Sequence, residues 1–215
     1  MAETEPETVR RWLERAASGD AESWRLLLAG HHNRLWRMVA VRIDPRLQGR
    51  LDPSDVLQEA YLEASRQLGD FLRKEDVPFI LWPRGLVRSR LARLHRHHLG
   101  TRRRDAGREV SLDREPAPDA SSAVLAACLI GAAERPSEEA VRAELRERLQ
   151  AVLERLSPED REVVSLRHFE QLSTEETAAV LGISAAAAGK RYVRALTRLR
   201  RLLADDPDVL RGWRP

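Results

Sequence analysis

The sequence of 215 residues has very little cysteine and no long apolar run. Its one cysteine, Cys128, excludes an intramolecular disulfide and makes a reducing cytosol the natural compartment. The longest apolar run, residues 123–133, is about half as long as a bilayer span and is rich in alanine. Residues 1–8 are acidic and lack the apolar segment of a secretory signal. We therefore expect a soluble, cytoplasmic protein that does not insert into a membrane.

Aromatic residues and runs of β-branched residues are also scarce. Phe, Trp and Tyr make up 5% of the chain, and Leu, Ala, Arg and Glu dominate. Those four are strong helix formers, and the β-branched residues stand singly rather than in alternating runs. An all-α fold is therefore predicted. The hydrophobic content of 42% is enough for small helical cores, and the length allows one large domain or two small ones.

The charges are distributed unevenly along the chain. The net charge is only +3, although the sequence pI is about 9.6, because arginine supplies nearly all the cations. Acidic residues gather at the N-terminus, whereas residues 84–108 and 190–201 are strongly basic. Basic stripes confined to particular helices are typical of a DNA-binding protein.

Helical periodicity divides the chain into two small predicted domains. A helix or extension covers residues 1–19, and a helical domain covers residues 20–104. Residues 105–136 hold an arginine cluster, prolines and an Ala/Ser-rich middle, which predict a flexible linker that could contain a short helix. Four helical segments make a second domain at residues 137–205, and residues 206–215 form a tail.

The second domain contains the most specific motif of the chain. Ser173 and Glu176 have the spacing of a capping box, so a short helix is predicted to begin there. Gly182 can adopt the positive φ that ends this helix, and Ile183 is expected in the core between two helices. A short capped helix, a turn and a longer helix indicate a helix-turn-helix.

The last helix has an apolar side and a cationic side. Ser184 is predicted to cap it. Its apolar positions are Ala188, Tyr192, Ala195, Leu199 and Leu202, and its polar positions include Lys190, Arg191, Arg194, Thr197, Arg198 and Arg201. This pattern fits a recognition helix in the major groove, and the absence of acids from Lys190 to Arg201 favours it over an ordinary solvated helix.

Two further motifs carry a resemblance to a known family. The segment Leu156–Val164, followed by the helix-turn-helix, resembles the promoter-reading domain of extracytoplasmic-function (ECF) sigma factors, of the sigma-70 superfamily. The segment Asp52–Tyr61 is similar to the family's D-x-x-Q-E-x-F/Y helix, and Trp82–Arg104 resembles the helix that melts and reads the −10 element. The segments Leu51–Asp55 and Ser184–Gly189 resemble the planctomycete-type branch.

The resemblance implies a factor that binds core RNA polymerase and directs promoter-specific initiation. In the family, the helix after Pro53 docks on the coiled-coil clamp of the polymerase β′ subunit, and a second contact is made with the β flap. The matching residues here are Asp55, Gln58, Glu59 and Glu63. Without the resemblance, a merely solvated acidic face would be the preferred interpretation of these residues. An apolar stripe on the same helix is predicted to face the core; it comprises Val56, Leu57, Ala60, Tyr61 and Ala64.

The loop Gly69–Pro78 and the following helix match the parts of the family that capture the unstacked −10 strand. The residues predicted to bind −10 DNA are Arg73, Lys74, Arg84, Arg88, Arg90, Arg93, Arg96 and His97. Phe79 and Trp82 are expected in the core, with base stacking as the alternative.

The last helix matches the family's reader of the −35 element. The residues predicted to bind −35 DNA are Ser184, Ala186, Ala187, Lys190, Arg191, Arg194 and Arg198. The sequence departs from the family at Gly189, where a Lys or Arg is usual, and in the alanines that open the helix. Methyl groups allow contacts with thymine but supply no donor. Base reading is therefore expected from Lys190, Arg191 and Arg194, with Arg198 and Ser184 on phosphates.

Other chemistry finds no support in the sequence. The histidines and Cys128 do not have the spacing of a zinc site, and no phosphate loop, nucleophile elbow or paired catalytic carboxylates appear. We expect no enzyme, no cofactor and no metal. The alternatives to a sigma factor are a stand-alone helix-turn-helix regulator and a protein-binding sigma mimic or adaptor. The family resemblance also implies regulation by an anti-sigma factor.

Overall fold

The computed structural model describes residues 6–47, 49–73, 77–99, 120–126 and 139–205. Within these ranges all regular secondary structure is helical, which confirms the all-α prediction. The chain forms two compact units. The N-terminal unit comprises Met1–Val39 and Gly49–Pro118, and the C-terminal unit comprises Ala40–Gln48 and Asp119–Pro215. In the described part of the chain, no helix is long and apolar enough to cross a membrane.

Four helices supply the N-terminal unit, and their starts follow from local capping. They are α1 (Pro6–Ala17), α2 (Ala21–Arg42, whose last three residues belong to the other unit), α3 (Pro53–Leu72) and α4 (Leu81–Leu99). Asp20 begins α2, because its carboxylate accepts the Glu22 N–H at 3.1 Å. Asp52 begins α3 in the same way, since its side chain accepts the Ser54 N–H at 2.7 Å.

The apolar sides of these helices meet around an aromatic cluster. Leu13, Leu27, Leu68, Phe71 and Phe79 are buried together, with Trp82 packed against them. The rings of Phe71 and Trp82 stack with centroids 4.4 Å apart. Phe79 and Trp82 are therefore core residues, as predicted. The predicted apolar stripe of α3 is also confirmed, with four residues buried and Tyr61 half-buried.

The C-terminal unit is assembled from short segments and four helices. Its elements are a 3₁₀ turn (Pro45–Leu47), helical residues 122–126, α5 (Glu139–Glu154), α6 (Pro158–Val164), a π turn (Ser165–Phe169), α7 (Thr174–Leu181) and α8 (Ala185–Ala204). The four helical segments predicted for this domain are present, and the π turn that extends α6 was not predicted. The main core is apolar; its buried members include Val41, Leu125, Leu145, Leu149, Val152, Leu153, Leu156, Phe169 and Leu202.

The division into units differs from the predicted domain boundaries at two places. Residues 40–48 lie with the C-terminal unit, where Val41, Ile43 and Leu47 are buried. Residues 120–126, assigned from sequence to the linker, supply Ala120, Val124, Leu125 and Ala126 to the core of the same unit. The periodicity of α2 continues without interruption from Ala21 to Arg42, so the sequence pattern contains no sign that its end joins another core.

Several predictions concern residues outside the described ranges. These are Lys74, Cys128, the remaining parts of the predicted linker (105–119 and 127–136) and the tail (206–215).

Candidate nucleic-acid interface

The helix-turn-helix of the C-terminal unit is held at its start by a reciprocal cap. The Ser173 N–H donates to Glu176 Oε2 at 2.8 Å, and the Glu176 N–H donates to Ser173 Oγ at 3.1 Å. Two N–H groups that a helix start leaves unsatisfied are thereby paired. The predicted capping box is confirmed.

The turn between α7 and α8 depends on one glycine. Gly182 has φ +65°, in the left-handed region, and the following Ile183 N–H donates to the Ala178 carbonyl at 3.1 Å. The side chain of Ile183 is half-buried rather than fully in the core. Ser184 then caps α8, since its Oγ accepts the Ala187 N–H at 3.2 Å. The turn predicted from sequence is therefore present and fixes where α8 begins.

Helix α8 packs through small side chains and exposes most of its cations. Ala188, Ala195 and Leu202 are buried, which confirms the predicted apolar side. Lys190, Arg194 and Arg198 are exposed, and Arg191 is half-buried. At 100° per residue, these four cations lie on one flank of the exposed surface. Ala186 and Ala187 are also exposed near the start of the helix.

Gly189 is not required by packing. A Cβ built at this position would meet only Thr174 Cγ2, at 3.9 Å, which is an ordinary van der Waals contact. Its φ is not in the left-handed region. The departure from the family's Lys or Arg at this position therefore has no cause in the fold.

In the N-terminal unit, the residues predicted to bind polymerase pair with residues predicted to bind DNA. Glu59 on α3 forms an ion pair with Arg90 on α4, and Glu63 lies 3.3 Å from Arg93. These residues surround a crevice of about 430 Å³ that also contains Leu62, whose exposed fraction is 53%. Asp55 and Gln58 are exposed on the same helix. The two predicted sites are therefore one continuous surface along α3 and α4.

The other residues predicted to bind −10 DNA are placed differently from one another. Arg96 and His97 are exposed near the end of α4, and Arg88 is half-buried. Arg73 is exposed and forms an ion pair with Asp70. Arg84 is the exception, because it is only 6% exposed. Its prediction has to be corrected: position 84 falls on the inner side of α4, so its guanidinium is not presented to a nucleic acid.

A second crevice lies between α2 and α3, with a volume of about 270 Å³. Trp24, His32, Leu57 and Tyr61 contribute to its walls. The Tyr61 hydroxyl lies 3.4 Å from His32 Nδ1, and burial raises the pKa of Tyr61 to about 12. The phenol therefore stays neutral at physiological pH and gives the crevice a largely apolar character.

Comparison with known proteins places this geometry in context. Residues 146–199, which include α6, α7 and most of α8, match the family model "Sigma-70, region 4". The RNA polymerase sigma-E factor of Streptomyces coelicolor is 55% identical over 62 residues, which cover 28% of this chain and 35% of that protein. The match thus spans about a third of this relative's length.

Longer and weaker matches cover both units. The ECF RNA polymerase sigma factor BldN of Streptomyces coelicolor is 27% identical over 95% of this chain and 69% of its own length. The ECF sigma factor SigD of Mycobacterium tuberculosis is 29% identical over 86% of this chain and 79% of its own length. These comparisons support membership of the ECF sigma-70 family. Sigma factors are transcription initiation factors and not enzymes.

One solved structure supports the fold. The structure of CnrH in complex with the cytosolic domain of CnrY has a TM-score of 0.56 and 24% identity, and covers 93% of this chain and 99% of CnrH. It shows an ECF-like helical architecture.

Within the region 4 match, two acidic residues were not singled out from sequence. Asp160 lies 3.9 Å from Arg198, and Glu159 is close to Arg191. The pKa of Glu159 lies below its usual value because its own backbone N–H and the Ser157 hydroxyl donate to it, and Arg191 adds a smaller effect. Both acids open α6, so only the tertiary structure brings them beside the cations of α8.

Exposed apolar residues were also missed. Val193 is 62% exposed and Leu196 is 38% exposed on α8, beside the flank that carries the cations. A helical wheel could have located them, because they fall about 60° apart on the side that excludes Ala188 and Ala195. ECF region 4 in this chain therefore presents an apolar strip next to its cationic strip.

Proposed function

We propose that this chain is an ECF-type sigma factor that binds core RNA polymerase and directs promoter-specific initiation. The observation that carries the proposal is the capped helix-turn-helix whose last helix exposes Lys190, Arg194 and Arg198 on one flank. A chain that also matches ECF sigma factors over 86–95% of its length has a use for such a helix in reading a promoter.

In the proposed reading of the −35 element, α8 enters the major groove with its N-terminal half. Arg191 and Arg194 are suited to bidentate contacts with guanine, and exposed Ala186 and Ala187 to contacts with thymine methyl groups. Arg198 lies farther along the helix and is suited to a phosphate. Ser184 is placed to contact a phosphate through its hydroxyl proton, because its oxygen already accepts the Ala187 N–H.

In the proposed reading of the −10 element, the exposed residues Arg73, Arg96 and His97 supply phosphate contacts. The polymerase contact is proposed for Asp55, Gln58, Glu59 and Glu63 on α3. Glu59 and Glu63 now pair with Arg90 and Arg93 at the surface, and exposed pairs of this kind contribute little to stability. A docking partner can therefore exchange these pairs, which would free both arginines for DNA.

The finer parts of the proposal concern partners. We propose the coiled-coil clamp of β′ and the β flap as the polymerase contacts, promoter DNA as the second partner and an anti-sigma factor as a regulator. The solved CnrH structure holds the cytosolic domain of CnrY, which makes a regulator of this class a reasonable partner to seek. The segments Leu51–Asp55 and Ser184–Gly189 suggest the planctomycete-type branch, and work on promoters would place the chain in the cytoplasm.

The test is run-off transcription from a promoter library, with purified core polymerase in the presence and absence of the chain. Transcripts that begin at a shared upstream motif only when the chain is present would support the proposal. Gln58→Ala with Glu59→Ala should abolish co-purification with core polymerase. Glu144→Ala, an exposed acid on α5, is the matched control and should leave it unchanged.

The same assay separates the alternatives. Sequence-specific DNA binding without any effect on core polymerase would indicate a stand-alone regulator. Failure to bind both DNA and core polymerase would leave a protein-binding adaptor, and the proposal would be abandoned.

A further inference from the structure

The end of α2 contributes a buried cation to the C-terminal unit. Arg42 is 2% exposed, and its guanidinium forms ion pairs with two carboxylates, Glu162 on α6 and Glu170 after the π turn. The contact from Arg42 Nη1 to Glu170 Oε1 is 2.5 Å. A fully buried arginine needs such partners, since the charged form is otherwise very unfavourable away from water.

Electrostatics and geometry agree that this is a built site. Burial alone would lower the pKa of Arg42, but the adjacent carboxylates of Glu170 and Glu162 outweigh burial and raise it. The Glu170 N–H donates to the Ser165 carbonyl at 3.0 Å, so the π turn sets the position of its carboxylate. The next residue, Gln171, has φ +54°, an unfavourable conformation for a residue other than glycine. Strained backbone of this kind is concentrated at functional sites.

Neighbouring residues hold the same segment by its backbone and apolar side chains. The Val41 carbonyl accepts the Ser121 N–H at 2.8 Å. Val41, Ile43 and Leu47 are all buried. Residues 40–48 are therefore bound along their length, with the arginine socket at one end.

The connections of this segment are short on both sides. Before it, α2 is continuous, with Val39 in the N-terminal unit and Ala40 in the C-terminal unit. After it, only Gly49–Asp52 separate Gln48 from the start of α3. Five residue steps span at most about 17 Å.

These lengths limit how far apart the two units can act. A unit of about 100 residues has a radius of about 17 Å, so the unit centres can be separated by no more than about 50 Å while the segment stays bound. The −35 and −10 elements lie about 25 base pairs apart by their names, which is about 85 Å of duplex. When the segment is released, residues 100–119 can extend by about 70 Å, and the reach between unit centres rises to about 105 Å.

We propose that residues 40–48 are an intramolecular latch, in which Arg42 occupies an acidic socket of Glu162 and Glu170, and that the latch must open before the two units can occupy separate promoter elements. The inference rests on the proposed function for its consequence, but the socket itself can be tested on the free chain. Binding of core polymerase to the N-terminal unit is the event that opens it.

The test is a distance measurement between spin labels in the full-length chain. Labels are attached at Ala29→Cys and Ala151→Cys, two exposed alanines in different units, with Cys128→Ser removing the native thiol. Arg42→Glu should shift the distribution of distances in the free chain to longer and broader values. The double variant Glu162→Gln with Glu170→Gln should do the same without reversing a charge, and thermal melts confirm that each variant is folded.

Two controls make the test specific to the socket. Arg46→Glu changes the same segment, but Arg46 is exposed and paired with Asp44, so the distribution should stay that of the unaltered chain. The charge exchange Arg42→Glu with Glu170→Arg should return the distribution towards that of the unaltered chain. An unchanged distribution in Arg42→Glu and in the double glutamine variant would overturn the latch, and so would an equal shift in Arg46→Glu.

A last comparison adds core polymerase and promoter DNA to the labelled, unaltered chain. The distance should lengthen on assembly, and an assembled complex with the free-chain distance would overturn the proposed opening. If core polymerase does not bind at all, the proposed function fails, while the measurements on the free chain still decide whether the socket holds the segment.

Discussion

At the scale of single residues, Gly189 is the clearest departure from what the fold requires. A glycine inside a helix lowers stability, because the unfolded chain loses more conformational freedom on folding. Space is available at this position, since the nearest contact of an added Cβ would be Thr174 Cγ2 at 3.9 Å. The glycine therefore affects what α8 presents to its target rather than how α8 packs.

Gly189→Ala should raise the free energy of unfolding by about 0.5–1 kcal/mol, measured by urea titration. Gly189→Arg should strengthen binding to −35 DNA and steepen the dependence of log K on log salt by about 1, because one more cation faces the phosphates. Gly182→Ala is the matched control. It should destabilise by about 1 kcal/mol, since alanine has to adopt φ +65° there. Stabilisation of that variant would contradict the role given to the turn.

The cations of α8 should divide into base readers and phosphate binders. Arg191→Ala is expected to relax sequence preference at one position of the −35 element by about 1–3 kcal/mol. Arg198→Ala should weaken binding to all sequences alike and lower the salt slope by about 1. Gel-shift titrations on a set of −35 variants measure both effects. Equal loss on all sequences in both variants would remove Arg191 from the proposed reading surface.

Burial separates two arginines of α4 that look equivalent in the sequence. Arg84→Ala should lower the free energy of unfolding by about 2 kcal/mol or more, because it alters a buried charged group. Arg96→Ala should change stability by less than about 0.5 kcal/mol and should instead weaken binding to single-stranded −10 DNA. Chemical denaturation and fluorescence anisotropy test the pair, and a stable Arg84→Ala with weakened DNA binding would return Arg84 to the DNA-binding surface.

At the scale of elements, the capped starts of helices were predictable and their tertiary partners were not. Ser173, Glu176 and Gly182 act within a few residues of one another, so their spacing alone located α7. The π turn after α6 has no local signature, because Ser165–Phe169 reads as a continuation of the helix. Its purpose becomes visible only with Glu170 paired to Arg42, more than a hundred residues away in sequence.

The candidate sites follow the same division. The resemblance and the helical pattern located α3 and α8 as binding helices, and the exposure of Gln58, Lys190 and Arg194 is compatible with those assignments. Pairing between α3 and α4 could not be predicted, since Glu59 and Arg90 meet only after both helices have packed. Arg84 shows the converse limit, because a basic residue in a basic stretch gave no sign of its burial.

The capping box of α7 should control DNA binding through the position of the turn. Ser173→Ala removes the acceptor of the Glu176 N–H and should lower the free energy of unfolding by about 1 kcal/mol. Ser173→Asp keeps an acceptor and should retain most of the stability. Urea denaturation measures both variants, and −35 affinity should follow stability in the same order. Equal stability of the alanine and aspartate variants would show that the cap has no energetic role.

At the scale of the whole molecule, the two units have to act together on one stretch of DNA. The N-terminal unit presents α3 and the exposed end of α4, and the C-terminal unit presents α8. Each surface alone can be found on proteins of other functions. Their combination in one chain, joined by residues 100–119, is what favours a sigma factor over a regulator that needs only the helix-turn-helix.

This combination makes chain length between the units a functional quantity. Twenty residues, 100–119, separate the end of α4 from the segment that packs into the C-terminal unit. Deletion of ten of them should reduce the reach between unit centres to about 70 Å, which is less than the roughly 85 Å between the two promoter elements. Run-off transcription from a promoter with both elements should then be lost, while binding to an isolated −35 duplex should be retained.

Replacement of the same ten residues by a Gly/Ser sequence of equal length is the matched control. A flexible chain of that composition preserves the reach, so transcription should persist if length alone matters. Loss of transcription in the replacement as well would show that the residues themselves make contacts with polymerase or DNA. Full activity of the deletion would show that the two units read their elements without separating, which would remove the physical reason for opening the latch.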